Sequence, residues 1–170
     1  MNDPASPAAL LAATFSEIHR TRMAGMPLSN EALAVDAVDF APWGHHWLGV
    51  LVTPWFMNLV IMPREREHWC AVGIGETLCY TFPAGVFGFI AAREPSIGDY
   101  HACSLFSPMF EFADAETARV AAAAARAALF DASHREGLDP DPAPAEHPAG
   151  APMSKREFLR LPDADRESGR

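Results

Sequence analysis

From Trp47 to Met62 the chain is apolar for 16 residues, and this run restricts the fold more than any other feature. A helix that crosses a bilayer needs about 20 largely uninterrupted apolar residues. This run is shorter and is broken by Gly49, Pro54 and Asn58. Pro54 has no backbone N–H to give to a ladder, so the run divides at it. Two strands result, His46 to Thr53 and Met57 to Met62, the second stopping at Pro63. Val35 to Phe40 alternates as a strand ahead of them. Glu76 to Phe82, Val86 to Ala92 and Tyr100 to Phe106 continue the pattern, parted by Pro83-Ala84-Gly85 and Ser96-Ile97-Gly98-Asp99. Short turns between such strands predict a mostly antiparallel sheet of 5–6 strands.

Helices flank the strands. Ser6-Pro7 is a helix start, and Leu11, Phe15 and Ile18 form an apolar stripe, predicting a helix over 7–24 that Gly25 ends. Arg64 to Ile74 reads as a short surface helix. Asp114 caps a second long helix, Ala115 to Phe130, whose Ala121, Ala125, Ala128 and Leu129 offer a flat face to a sheet. The expected architecture is α+β, a two-layer sandwich with both helices packed on one face of the sheet. Composition changes after Asp131, where 6 of the chain's 15 prolines lie. The reading is one domain over 1–130 and a proline-rich, flexible tail over 131–170.

Charge and cysteine content narrow the function. Lys plus Arg is 13 and Asp plus Glu is 22, a net charge of −9. An acidic chain repels a phosphate backbone, so nucleic acid is not an expected partner and a basic peptide is. The three cysteines, Cys70, Cys79 and Cys103, are odd in number and include no CxxC pair, which fits a reducing, cytoplasmic setting. No secretory leader and no spanning run is read, so stable membrane insertion is not expected.

Chemistry-bearing clusters are sparse. His45 and His46 are adjacent and, on an extended chain, face opposite ways, so they cannot grip one ion. His101 and Cys103 share a strand face and could join Cys70 or Cys79 as imidazole and thiolate ligands, though no compact zinc spacing is present. Ser104 beside them lies in no nucleophile-elbow context. The chain is expected to be non-enzymatic and to carry no metal or cofactor. A metal-handling protein built on Cys103 is the alternative.

All four tryptophans, Trp43, Trp47, Trp55 and Trp69, fall within 27 residues. Thr53-Pro54-Trp55-Phe56-Met57 and Ser107-Pro108-Met109-Phe110 each set a hydroxyl residue and a proline at a strand exit, followed by large side chains. Such loops either present apolar surface to a partner or plug the core beneath them.

Three stretches resemble the NiFe-hydrogenase assembly chaperones of the HybE/HupJ type. They are W-L-G-V-L-V-T-P-W-F-M-N-L-V-I-M-P over 47–63, F-P-A-G-V-F-G-F over 82–89 and Y-H-A-C-S-L-F-S-P over 100–108. The motif positions are Trp47, Gly49, Thr53, Pro54, Trp55, Pro63, Pro83, Gly85, Tyr100, Cys103, Ser104, Ser107 and Pro108. The resemblance implies a secretion-chaperone-like α+β fold and a cytoplasmic accessory protein. Its partners would be hydrogenase large or small subunit precursors, including a small subunit's twin-arginine signal peptide, held before export and assembly. Trp47, Thr53, Pro54, Trp55, Phe56, Tyr100, Cys103, Ser104, Ser107, Pro108 and Met109 are the expected partner-binding residues. Gly49, Pro63, Pro83 and Gly85 read as backbone requirements. Some family members carry a fused rubredoxin; without CxxC this chain is expected to hold no such iron.

The tail adds Ser154-Lys155-Arg156-Glu157-Phe158-Leu159-Arg160, which resembles the twin-arginine consensus with Lys in place of the first Arg. No apolar region follows it, so it is not itself an export signal. Lys155, Arg156, Phe158 and Leu159 are expected either to compete for the chain's own peptide site or to be a solvated turn without a role.

Overall fold

The computed structural model describes residues 6–135 and the backbone of 153–154. Helix α1 spans Pro7–Ile18, and Ser6 accepts from the Ala9 amide at 3.1 Å as its cap. The chain then widens into one π-helical turn, His19–Met23. Strands β1 (Asp36–Trp43), β2 (His46–Val52) and β3 (Met57–Pro63) form an antiparallel meander. Strands β4 (Thr77–Phe82), β5 (Gly85–Glu94) and β6 (Gly98–Phe106) form a second. The meanders join where β6 pairs with β3. Helix α2 follows at Ala115–Ala128, with Asp114 accepting from the Thr117 amide at 2.7 Å. A two-residue strand, β7 (Met153–Ser154), lies on the outer edge of β4, so the sheet runs β1-β2-β3-β6-β5-β4-β7. The surface helix expected over 64–74 is only a single 3-10 turn, Arg66–His68. The rest of the proline-rich tail, with Lys155, Arg156, Phe158 and Leu159, lies outside the described residues.

Strand alternation divides the core in two. Leu48, Val50 and Val52 of β2 and Leu59 and Ile61 of β3 pack with Tyr80, Phe82, Phe89 and with Ala118, Ala122 and Leu129 around α2. Leu51, Val60 and Met62 point the other way and pack with Leu11, Phe15 and Ile18 of α1. The expected α+β class with an antiparallel sheet and two helices holds, while the two helices pack in different clusters on opposite faces of the sheet rather than on one. The two faces take helices of different bulk. Helix α1 buries three large side chains, whereas α2 buries Ala118 and Ala122 and can lie close against β1 and β2.

The α2 face is the inside of a curled sheet. Trp43 of β1 stacks on Phe82 of β4 with ring centroids 4.5 Å apart, although four strands stand between them in the ladder. The end of α2 meets the β4–β5 turn, where the Ala84 amide donates to Leu129 O at 3.0 Å. Gly49 is also explained by packing. It is buried on β2, and a Cβ there would fall within the Phe40 ring.

Gly49→Ala should therefore destabilise the fold by about 1–3 kcal/mol, the usual cost of overpacking. Adding Phe40→Ala should recover part of that loss. A double-mutant cycle by urea unfolding measures the coupling; strictly additive losses would contradict the ring-over-glycine account.

Candidate functional site

The hairpin between β2 and β3 is built on Thr53. Its hydroxyl accepts from the amides of Trp55 at 3.3 Å and Phe56 at 2.9 Å, and donates to Phe56 O at 3.0 Å. Thr53 is fully buried, and Pro54 is buried too, so both shape the loop and present almost no side-chain surface. What the loop presents is Trp55 and Phe56, each half-buried.

Asn30, which the sequence reading passed over, joins this loop to the second motif loop. Its backbone N–H donates to Pro54 O at 2.8 Å. Its side-chain amide donates to Met109 O at 3.0 Å and to Phe112 O at 2.8 Å. The second loop opens with a cis Ser107–Pro108 bond. Met109 was expected at the partner surface, but it is fully buried and packs in the core, because the loop turns it inward. Phe110, the next residue, is 55 % exposed, and Ser107 and Pro108 are exposed with it. Leu28, two residues before Asn30, is 57 % exposed. Asn30 thus holds together three segments that carry solvent-facing apolar side chains.

Aromatic rings continue from this end over the α1 face. Phe15 meets Phe56 edge-on at 5.8 Å and Tyr100 at 6.3 Å. Trp55 lies 5.6 Å from His19 of the π-helical turn. Trp47 borders the same group. Burial, then Glu94, pushes the Tyr100 hydroxyl up to about 12, so it stays protonated. The structure therefore gathers Trp47, Trp55, Phe56 and Tyr100 on one face. Ser104 is exposed, and Cys103 belongs to the opposite, inner cluster.

That inner cluster holds the remaining tryptophans. Trp43 and Trp69 are packed into it. Trp69 stacks on His101 at 4.1 Å, and Tyr80 Oη shares a 2.7 Å hydrogen bond with His101 Nδ1. Burial raises the Cys103 thiol, which opposes a thiolate ligand or nucleophile. Among the described residues, Cys103 with Cys70, Cys79 or His101 forms no trio of closely approaching ligand atoms. His45, Glu65 and His68 do, with their donor atoms all within 4.8 Å. As expected, His45 and His46 face apart, His45 outward and His46 inward. The His45–His68 rings stack at 3.8 Å, whereas an imidazole ligand takes its ion in the ring plane, so at least one ring would have to turn before one ion could be shared.

Asn30→Ala removes two donors and leaves Met109 O and Phe112 O without them, at a cost of about 2–4 kcal/mol. Hydrogen exchange should quicken across 107–112 and much less across 53–56, because the backbone bond to Pro54 remains. Equal change in both loops would contradict the bracing role. Burial first, then His46, lowers His101 to about 4. An unfolded histidine titrates near 6.5, so between those values the unfolded chain binds the proton that the native chain refuses. Stability should be complete above about pH 6.5 and fall by roughly 2–3 kcal/mol as pH drops towards about 4. Urea unfolding across that range should show the slope, and His101→Gln should flatten it.

Comparison with known proteins gives a concordant answer. The family model described as "[NiFe]-hydrogenase assembly, chaperone, HybE" matches residues 6–161. The hydrogenase expression/formation protein HupJ of Bradyrhizobium diazoefficiens is 39 % identical over 151 residues, covering 89 % of this chain and 85 % of that one. The probable rubredoxin HupJ of Rhodobacter capsulatus is 38 % identical, and the match spans 81 % of this chain but 54 % of that longer protein. The solution structure of HybE from Escherichia coli shares the fold at a TM-score of 0.61 and 24 % identity, over 96 % of this chain and 92 % of that one. The chain belongs to the HybE family of [NiFe]-hydrogenase assembly chaperones.

Proposed function

We propose that this chaperone binds hydrogenase subunit precursors in the cytoplasm, including a small subunit that still bears its twin-arginine signal, and holds them until assembly. The observation that carries this reading is the apolar end braced by Asn30. Leu28 and Phe110 are exposed there, beside loops that also present half-buried Trp55 and Phe56. A net charge of −9 favours encounter with a basic segment. Binding would rest on reversible burial of client apolar surface against rigid aromatic anchors and involves no covalent step. Trp47, Trp55, Phe56, Tyr100, Ser107 and Pro108 are the proposed contacts, with Phe110 added from its exposure. Thr53, Pro54 and Met109 act by shaping the loops. Among the described residues no helix is long and apolar enough to cross a membrane.

Affinity capture from cells producing hydrogenase, followed by mass spectrometry, should recover a hydrogenase subunit precursor. Phe110→Ser changes an exposed residue and should leave the unfolding midpoint unchanged while lowering precursor recovery by about tenfold, the effect of losing one interface anchor. Undiminished recovery by the variant would move the contact surface elsewhere.

A further inference from the structure

The two edges of the sheet differ in kind. Strand β1 carries Asp36, Asp39 and Pro42, and its ladder with β2 is bulged between Val38 and Ala41, with Asp39 in a left-handed conformation. Charge, proline and bulge all discourage a further strand from adding. Strand β4 reads T-L-C-Y-T-F over 77–82, without charge or proline, and keeps six unbroken pairs with β5. An edge this plain is a template for strand addition. The chain places its own backbone there: Met153 pairs with Cys79 and Ser154 with Leu78, antiparallel.

We propose that the outer edge of β4 is a strand-addition site for an extended peptide, and that the chain's own segment at Met153–Ser154 holds it in the free protein. Two pairs on a six-residue strand make a short ladder, so the hold is weak in itself. Tethering supplies the rest, since the segment belongs to the same chain and its pairing is intramolecular, which raises its effective concentration. A peptide that pairs along the whole of β4 outcompetes it. The sequence after the ladder, Lys155-Arg156-Glu157-Phe158-Leu159, couples cations to large apolar residues, so the competitor fitting this edge is an extended peptide of the same basic and apolar chemistry. The identification of that competitor with a client segment rests on the proposed function; the edge and its own occupant do not.

Hydrogen exchange on the full chain tests this. Replacing both residues, Met153→Pro with Ser154→Pro, removes their N–H donors and should speed exchange within 77–82 by about three- to tenfold, the range expected for losing a backbone hydrogen bond. Met153→Ala keeps the N–H and should retain protection. A synthetic peptide with the sequence of residues 151–161 should restore protection to the double variant, and should bind the unaltered chain more weakly. Unchanged exchange in the double variant, or a peptide that leaves it unprotected, overturns the proposal. A double variant that dimerises in light scattering and ignores the peptide assigns the edge to a second copy and overturns it equally. Failure to capture a hydrogenase precursor would sink the client reading alone and leave the β4 result standing.

Discussion

Trp43 and Phe82 belong to strands β1 and β4, the two ends of the six-strand ladder, yet their rings stack 4.5 Å apart. Most of the remaining architecture depends on that contact. A flat sheet of this order would leave Tyr80, His101 and Trp69 on an open face. Rolled until β1 meets β4, the sheet encloses them, and its twist makes such rolling natural. The enclosed space admits only a slim helix over its β1–β2 side, which an Ala-rich α2 satisfies with Ala118 and Ala122. The convex side is left to α1, which has the large side chains needed to cover Leu51, Val60 and Met62. Placing the helices on opposite faces is thus one consequence of the curl.

The curl also explains where surface chemistry remains. Inward groups lose water: His101 is driven to stay neutral, and Cys103 is held as a thiol. A Cys103 held as a thiol is a poor ligand or nucleophile, and the neutral His101 imidazole has its Nδ1 engaged by Tyr80 Oη. What stays accessible is the aromatic fringe around α1 and the loops at one end of the sheet. Asn30 gives those loops a defined relation. It reaches 79 and 82 residues along the chain to bond Met109 O and Phe112 O, while its own N–H fixes the β2–β3 hairpin. The motif loops are held near each other because one residue braces both, through its backbone N–H on one side and its side-chain amide on the other.

The succession of strands along the chain was legible because proline and glycine punctuate it, although the pairing of β3 with β6 was not. Pro54 and Pro83-Ala84-Gly85 each mark a turn in the structure, and Ser6 and Asp114 cap the helices as their residue types predict. The family was legible from the same stretches. Long-range geometry was not. Alanines on α2 do not encode which face of the sheet they meet. A lone Asn30 after Ser29 reads as a turn residue, since its partners lie far away in sequence. His45, Glu65 and His68 come together over separations that match no compact ligand spacing. Met109 and Phe110 looked alike in the sequence, both large and both past a proline. Only the loop conformation turns one into the core and the other to solvent.

The packing of the aromatic fringe bears on how tightly such a chaperone would hold its client. Trp55 and Phe56 are already half-buried, steadied by His19 and Phe15 at 5.6 and 5.8 Å. A client covering them pays little to immobilise them, which favours binding. It also gains only the area still exposed, since the rest is spent on α1. Phe110 and Leu28 work in the opposite sense, offering more area with fewer neighbours to fix their rotamers. On the proposed function, combining rigid, partly satisfied anchors with a few freer ones would give specific but moderate affinity. An assembly chaperone needs that balance, because it must release its subunit when assembly is complete. The acidic surface adds to encounter rather than to residence, because interactions between exposed charges are screened beyond about 8 Å at physiological salt.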